Sequence, residues 1–231
     1  MLGNHVKGYR RDKLILEAVN DRQCLSTEQV HILLFQKQKQ GLRIAQRRLE
    51  ALYRAGLLSR WRQSLAQPFY YYAGEGKEIK QFIHKVGVNW AYIWTLLQLK
   101  NWEKLHVWQY EPQDYKTIRP DAFCAIKNTM DRDHPFSFFF LEYDRAQSGN
   151  KFDKIERYNR MFANEEYIDT WWAKLSTRFP PVYIVTTTHT RAAAIKKNMD
   201  EKNEHGLEFI ILDAETIIAE CKGTVNHEHK S

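Results

Sequence analysis

The sequence predicts an α+β chain in which a small helical unit with a β-hairpin precedes a mixed α/β sheet. Within residues 1–75, apolar residues recur at helical spacing and are followed by two short β-prone runs. From about residue 105, two strand-like runs are followed by alternating helices and strands, a pattern typical of a mixed sheet. Basic residues are concentrated in the first part. The two parts therefore differ in charge as well as in pattern.

Three helices are predicted in the N-terminal part. The first covers residues 9–20, where helical spacing is shown by Leu14, Ile15, Ala18 and Val19. Ser26 opens the second, and Gln29 follows three positions later, which fits a capping box. The third covers residues 42–55, and its apolar face contains Ala45, Leu49, Leu52 and Gly56. Two β-prone runs follow, so the element order is that of a winged helix-turn-helix.

The opposite face of the third predicted helix is basic. Residues 36–62 contain eight basic residues and a single acid, Glu50. A helix with one buried face and one arginine-rich face can enter the major groove of DNA. The residues expected to contact double-stranded DNA are Arg43, Gln46, Arg47, Arg48 and Arg54 on the helix, with Arg60 and Arg62 on the hairpin.

The charge distribution supports the same prediction. Residues 1–85 contain 16 Lys and Arg against 7 Asp and Glu, whereas the remaining residues contain 19 against 21. A basic excess confined to one part of a chain attracts a polyanion. The alternative is a solvated basic helix within a protein–protein module. Residues 1–75 are therefore predicted to form a DNA-binding domain.

Composition also predicts a cytoplasmic protein. The three cysteines, Cys24, Cys124 and Cys221, form no CxxC motif and lie far from any histidine pair, so neither disulfides nor a zinc site are expected. The N-terminus lacks the apolar segment of a signal peptide, and no apolar stretch is long enough to span a bilayer. No Walker A or GxGxxG motif is present, which argues against nucleotide-driven chemistry.

The remaining chain is predicted to contain a helical linker, a sheet domain and a tail. The linker covers residues 76–104, with helices at 77–86 and 90–99. The sheet domain covers residues 105–222, with strands at 106–110, 122–126, 136–143, 182–187 and 208–212 and helices at 150–163, 191–202 and 214–221. Residues 223–231 are polar and are expected to be disordered.

Acidic residues stand at the ends of two predicted strands. Asp121 opens one strand, and Glu142 and Asp144 end the next, two residues apart and so on one face. Asp121 and Glu142 converge if their strands are antiparallel neighbours. Carboxylates at such a place can hold Mg²⁺, which activates water during phosphodiester cleavage.

These residues carry a family resemblance. Arg119-Pro120-Asp121, the segment 141–145 (LEYDR) and the segment 154–158 (KIERY) resemble the replication-relaxation family of plasmids and mobile elements, over roughly residues 9–221. The resemblance implies a winged helix followed by a domain similar to the PD-(D/E)xK restriction-endonuclease fold. In active nucleases of that fold, two acids bind the metal and a lysine two positions after the second acid supports the nucleophile.

The chain departs from that pattern at the lysine. Asp121 and Glu142 match the two acids, but Asp144 stands at the lysine position, and Lys154 or Lys151 on the next helix would have to supply the ammonium. An active nuclease would thus use Asp121, Glu142, Asp144 and Lys154. In an inactive scaffold the carboxylates would instead pair with Arg119, Arg145 or Lys154, because buried carboxylates need partners. Tyr158 is expected to pack or to support Glu142.

The resulting functional prediction is a DNA-binding protein of a plasmid or other mobile element that controls replication, transfer or transcription. Two alternatives stay open. One is a metal-dependent endonuclease or nickase, and the other is a non-catalytic regulator whose C-terminal domain forms a homodimer or recruits a replication or conjugation protein.

Overall fold

The computed structural model describes residues 4–74, 81–146 and 151–227. The chain forms two compact units, of which unit 1 comprises residues 1–93 and 219–231 and unit 2 comprises residues 94–218. This division differs from the sequence-based one, because the end of the chain groups with the N-terminal part. Among the described residues, no helix is both long enough and apolar enough to cross a membrane.

Unit 1 begins with helices and a small antiparallel sheet. Its elements, in chain order, are α1 (Asn4–Arg22), β1 (Cys24–Ser26), α2 (Thr27–Phe35), α3 (Gly41–Arg54), β2 (Ser59–Trp61) and β3 (Tyr70–Tyr72). β3 lies in the centre of the sheet and pairs antiparallel with β1 and β2. The buried core is formed by apolar residues of α1, α2 and α3, which include Ile15, Val19, Val30, Phe35, Leu49 and Leu52.

Local chemistry fixes where α2 and α3 begin. The Ser26 side chain accepts a hydrogen bond from the Gln29 backbone, and the Gln29 side chain accepts one from the Ser26 backbone, so the predicted capping box is confirmed. Gly41 opens α3 against α2. A Cβ at this position would collide with the Phe35 carbonyl oxygen and lie 2.7 Å from His31 Cδ2. Only glycine allows this close approach.

Unit 2 contains a five-stranded mixed sheet. After α4 (Phe82–Gln98) come β4 (Glu103–Tyr110), β5 (Ala122–Asn128), β6 (Phe136–Asp144), α5 (Lys154–Ala163), β7 (Val182–Thr186), α6 (His189–Lys202), β8 (Phe209–Asp213) and α7 (Ala214–His227). The two units divide within α4 and again within α7, whose residues from 219 onward belong to unit 1. The strands lie in chain order. β4, β5 and β6 are antiparallel, and β6, β7 and β8 are parallel. The mixed sheet that the sequence predicts is therefore confirmed.

One face of this sheet carries an aromatic core against α5 and α6. Phe138 and Phe140 of β6 pack with Tyr158 of α5 and Ile195 of α6. Because side chains alternate along a strand, Glu142 and Asp144 continue on the face of Phe138 and Phe140. The carboxylates of β6 therefore lie where the apolar core ends.

Several predicted element boundaries were wrong. The sequence did not predict β1, which has only three residues. A single helix, α4, replaces the two predicted at 77–86 and 90–99; residues 75–80 lie outside the described part of the chain. The helix predicted from residue 150 begins at Lys154, and residues 147–150 are likewise not described. α7 continues to His227, so residues 223–227 of the predicted disordered tail are helical.

Candidate nucleic-acid interface and carboxylate cluster

The two faces of α3 differ as the periodicity predicts. Its buried residues are Gly41, Ala45, Leu49 and Leu52. Arg43, Gln46 and Arg47 lie on the other side and are exposed. Within the described part of the chain, these three side chains have no hydrogen bond and no ion pair. Their donors and acceptors are therefore free for an external partner. Gly56, expected on the apolar face, lies beyond the end of α3 with a positive φ of 71°.

Three of the other predicted DNA contacts are held by carboxylates of unit 1. Arg48 Nε donates to Asp12 Oδ1 of α1 at 2.7 Å, and a second nitrogen of Arg48 pairs with Asp12 Oδ2. Arg54 Nε lies 2.8 Å from Glu50 Oε1, and Arg60 pairs with Glu50 Oε2. The hydrogen bond from Arg54, together with the charge of Arg60, lowers the pKa of Glu50. Glu50 is thus ionised and partly neutralises both guanidinium groups.

The hairpin arginines pack on aromatic rings. The guanidinium carbon of Arg60 lies 4.1 Å from the centroid of the Tyr53 ring and 4.2 Å from that of Phe69. The guanidinium carbon of Arg62 lies 4.6 Å from the Phe69 centroid. Cation–π contacts of this kind fix a guanidinium in place without neutralising its charge. Arg62 has no carboxylate partner among the described residues and keeps its full positive charge.

In unit 2, the structure brings Asp121 and Glu142 together. β5 and β6 are antiparallel neighbours, with Ala122 opposite Leu141. The Asp121 backbone N–H donates to the Leu141 carbonyl oxygen at 3.1 Å, and Asp121 Oδ2 accepts from the Tyr143 N–H at 2.7 Å. The strand pairing expected from the sequence is therefore confirmed, and Asp121 flanks Glu142 at one end of the sheet.

Glu142 is the buried centre of this cluster, with only 2% of its side chain exposed. Its Oε2 lies 2.8 Å from Lys154 Nζ, and its Oε1 accepts a hydrogen bond from Tyr158 Oη at 2.9 Å. Burial raises the pKa of Glu142 to about 8, although the Lys154 ammonium acts in the opposite direction. The expected supporting role of Tyr158 is confirmed by this hydrogen bond.

The pKa values of the lysine and the tyrosine around Glu142 are raised as well. Burial alone would lower the pKa of Lys154, but the adjacent Glu142 and Asp121 outweigh it, so that the pKa of Lys154 is raised. Burial, together with Glu142, raises the pKa of Tyr158 well above its usual value. Lys154 Nζ additionally donates to the Arg119 carbonyl oxygen at 3.1 Å. Glu142, Lys154 and Tyr158 therefore form a largely buried cluster whose members are hydrogen-bonded to one another.

Asp144 has a partner that sequence reasoning missed. Arg191 of α6 donates to both carboxylate oxygens of Asp144, from Nε at 2.6 Å and from a second nitrogen at 3.3 Å. Both side chains are largely buried, at 14% and 18% exposed. Nothing local in the sequence indicates this pair, because 47 residues separate its members. Of the partners that the sequence suggested, Lys154 is used, whereas Arg119 pairs with Glu111 at 2.8 Å.

These carboxylates do not fit a divalent cation as they are arranged. Both oxygens of Glu142 and both oxygens of Asp144 already accept from cationic or phenolic donors. Proteins usually hold Mg²⁺ through one or two carboxylates whose oxygens are free to coordinate it. In the described ranges 4–74, 81–146 and 151–227, no group of three or more His, Cys, Asp or Glu side chains is placed to hold a metal ion.

Comparisons of the chain with known protein families, with curated proteins and with solved structures found no match. The resemblance to the replication-relaxation family therefore rests on the sequence motifs alone.

Proposed function

We propose that this protein binds double-stranded DNA and that residues 4–74 of unit 1 act as a winged helix-turn-helix. Three helices are followed by a β2–β3 hairpin, with β1 completing the small sheet. α2 and α3 are joined by a short turn, and α3 is the helix with one buried face and one basic face. In this type of domain the second helix of the motif lies in the major groove.

The observation that carries the proposal is the exposed strip formed by Arg43, Gln46 and Arg47. These side chains extend from a helix whose other face is buried, and they have no hydrogen bond or ion pair among the described residues. Exposed Lys37 and Lys39 precede the same helix. Positive charge and free hydrogen-bond donors on one helix face suit a polyanion that displays base edges in a groove.

For unit 2 we propose a nuclease-like scaffold that does not cleave DNA. Asp121, Glu142 and Lys154 meet at one end of the sheet, which supports the arrangement expected from the family resemblance. The pairing of Glu142 with Lys154 and of Asp144 with Arg191 favours a scaffold over a catalyst. We infer that the protein serves a plasmid or other mobile element through binding, in the control of replication, transfer or transcription.

Replacing Arg43 and Arg47 with alanine is expected to weaken DNA binding and to flatten its salt dependence. Each phosphate contact contributes about one to the slope of log affinity against log salt, so the double variant loses up to about two. Fluorescence anisotropy with a labelled duplex over a salt series measures both quantities.

A matched control removes two exposed lysines of α6, Lys196 and Lys197. This Lys196→Ala, Lys197→Ala protein has the same net charge as the arginine variant and keeps the surface of α3 intact. We expect it to bind like the wild type. Equal affinities and slopes for the arginine variant and the wild type would rule out α3 as the DNA-contacting helix, and absence of duplex binding by the wild type would refute the proposal as a whole.

A further inference from the structure

The arginines of α3 and of β2 fall into two classes that the sequence does not distinguish. Arg48, Arg54 and Arg60 are paired with Asp12 or Glu50. Arg43 and Arg47 have no such partner among the described residues, and exposed Gln46 stands beside them. Among the arginine and glutamine side chains of α3 in the described part of the chain, those without a hydrogen bond or an ion pair therefore lie in its first two turns.

We propose that Arg43, Gln46 and Arg47 contact base edges directly and that the preferred target contains guanine and adenine within about three consecutive base pairs; this rests on the proposed function. The helix rises 1.5 Å per residue, so residues 43 and 47 are separated by about 6 Å along the axis. Base pairs stack about 3.4 Å apart, so the three side chains cover about three of them.

The chemistry of the three side chains specifies which bases they recognise. Arginine donates two parallel hydrogen bonds to guanine O6 and N7, and glutamine forms a matching pair with adenine N6 and N7. The positions i, i+3 and i+4 place Arg43, Gln46 and Arg47 side by side on one strip of α3. The N-terminal part of the recognition helix is the part that contacts base edges in helix-turn-helix domains.

Because the other arginines are paired with carboxylates, the proposed base contacts are limited to Arg43, Gln46 and Arg47. Asp12 and Glu50 compensate the charge of the guanidinium groups in the second half of α3 and at the start of the hairpin. If α3 bound only phosphates, charge along its whole length would contribute, and compensating it with carboxylates would reduce affinity. A short strip of unpaired donors beside compensated arginines instead suits local recognition of bases.

The first experiment selects bound sequences from a pool of randomised duplexes with the wild-type protein. We expect an enriched motif with guanine and adenine in adjacent or nearly adjacent positions. In anisotropy measurements on the selected duplex, replacing any one of these base pairs should lower affinity about ten-fold or more. Replacing the adenine by 7-deazaadenine, which lacks the N7 acceptor, should cause a comparable loss.

Arg43→Lys and Arg47→Lys separate base contacts from phosphate contacts. Lysine keeps the charge but lacks the planar fork that pairs with guanine. Each variant should retain the salt slope on random duplex and lose about ten-fold in preference for the selected duplex. Gln46→Ala should become indifferent to 7-deazaadenine. Arg160→Lys, an exposed position on α5, is the matched control and should keep the wild-type preference.

The outcomes distinguish this proposal from the one it rests on. If no sequence is enriched while random duplex is bound in a salt-dependent manner that Arg43→Ala with Arg47→Ala weakens, the protein binds DNA but these residues do not contact bases. An enriched motif that Arg47→Lys, Arg43→Lys and Gln46→Ala leave unchanged would equally overturn the proposal. Absence of any duplex binding would refute both.

Discussion

Glu50 determines how much of the positive charge of α3 and the hairpin is available to a ligand. It is the only acid within residues 36–62, and it pairs with both Arg54 and Arg60. A count of charged residues in the sequence includes both arginines in the basic excess of this segment. The structure shows that one carboxylate holds two of them, so charge counting overstates the free positive charge.

Replacing Glu50 with glutamine is expected to raise non-specific DNA affinity and to steepen its salt dependence. Two guanidinium groups lose their compensating carboxylate, and each one that reaches a phosphate adds about one to the slope. Anisotropy with a random duplex over a salt series tests this. Glu201→Gln, at an exposed carboxylate of α6, is the control for the change in net charge. Identical slopes for Glu50→Gln and the wild type would show that Arg54 and Arg60 do not contact DNA.

The raised pKa of Glu142 leads us to expect that the free energy of unfolding depends on pH. Its pKa is raised from 4.5 to about 8 by burial, so the folded protein keeps a proton that the unfolded chain releases. Unfolding therefore releases a proton between these two values, and the stability contributed by protonated Glu142 is lost as pH rises through the window. The slope is at most about 1.4 kcal/mol per pH unit, the value for one proton.

Urea unfolding of the wild type and of Glu142→Gln across this pH range measures the effect. Glutamine does not titrate, so the variant should lack that part of the downward slope. Lys154 contributes no slope there, because its raised pKa lies above the window. Parallel curves for the two proteins would contradict the raised pKa of Glu142. A variant that is less stable by the same amount at every pH would not contradict it, because only the slope of stability against pH reports the titration of Glu142.

At the scale of elements, the join between α2 and α3 depends on a glycine. Gly41→Ala is expected to destabilise unit 1 by about 1–3 kcal/mol, because the new Cβ overlaps backbone rather than a movable side chain. Chemical denaturation followed by circular dichroism gives the difference. Gly223→Ala in α7 is the matched control: its Cβ meets no atom within 4 Å. Alanine at this helical position should be neutral or stabilising. An unchanged free energy of unfolding for Gly41→Ala would mean that α2 and α3 move apart to accommodate the new Cβ without loss of stability.

Most elements were predictable because their causes are local. The capping box at Ser26 and the apolar spacing of α3 depend on residues within one or two turns, and both predictions are confirmed. β1 was missed because three residues carry no periodic pattern, and it exists through pairing with β3 almost fifty residues later. α7 passes residue 222 although the sequence there is polar.

At the scale of the whole molecule, the proposed binding of DNA by unit 1 can be tested separately from cleavage by unit 2. We expect no nicking of supercoiled plasmid by the wild type with Mg²⁺ or Mn²⁺, because the cluster carboxylates are already paired. Agarose gel analysis of the plasmid detects nicking. Glu142→Ala should leave duplex binding unchanged. Metal-dependent nicking that is lost in Glu142→Ala would instead establish the endonuclease alternative.

The sequence by itself determined the α+β class and the two faces of α3, and it predicted that Asp121 and Glu142 converge if their strands are antiparallel neighbours, which they are. Each of these predictions depends on the periodicity of apolar residues within one element or on a hairpin between two strands that are neighbours in the sequence. Both can be recognised from the order of residues along the chain. The sequence also offered Lys154 or Lys151 as a cation for this site and Tyr158 as a residue that packs or supports Glu142, and the structure shows contacts of Lys154 and Tyr158 with Glu142.

Only the tertiary structure decided which charges are free. The pairs Asp12–Arg48 and Asp144–Arg191 join residues 36 and 47 positions apart, and no local pattern selects one long-range partner among many equivalent charges. Ion pairs of this kind depend on how helices and strands pack, since an attraction between two side chains is strong only within a few ångströms. The sequence thus predicted a basic helix face, and the fold reduced it to Arg43, Gln46 and Arg47.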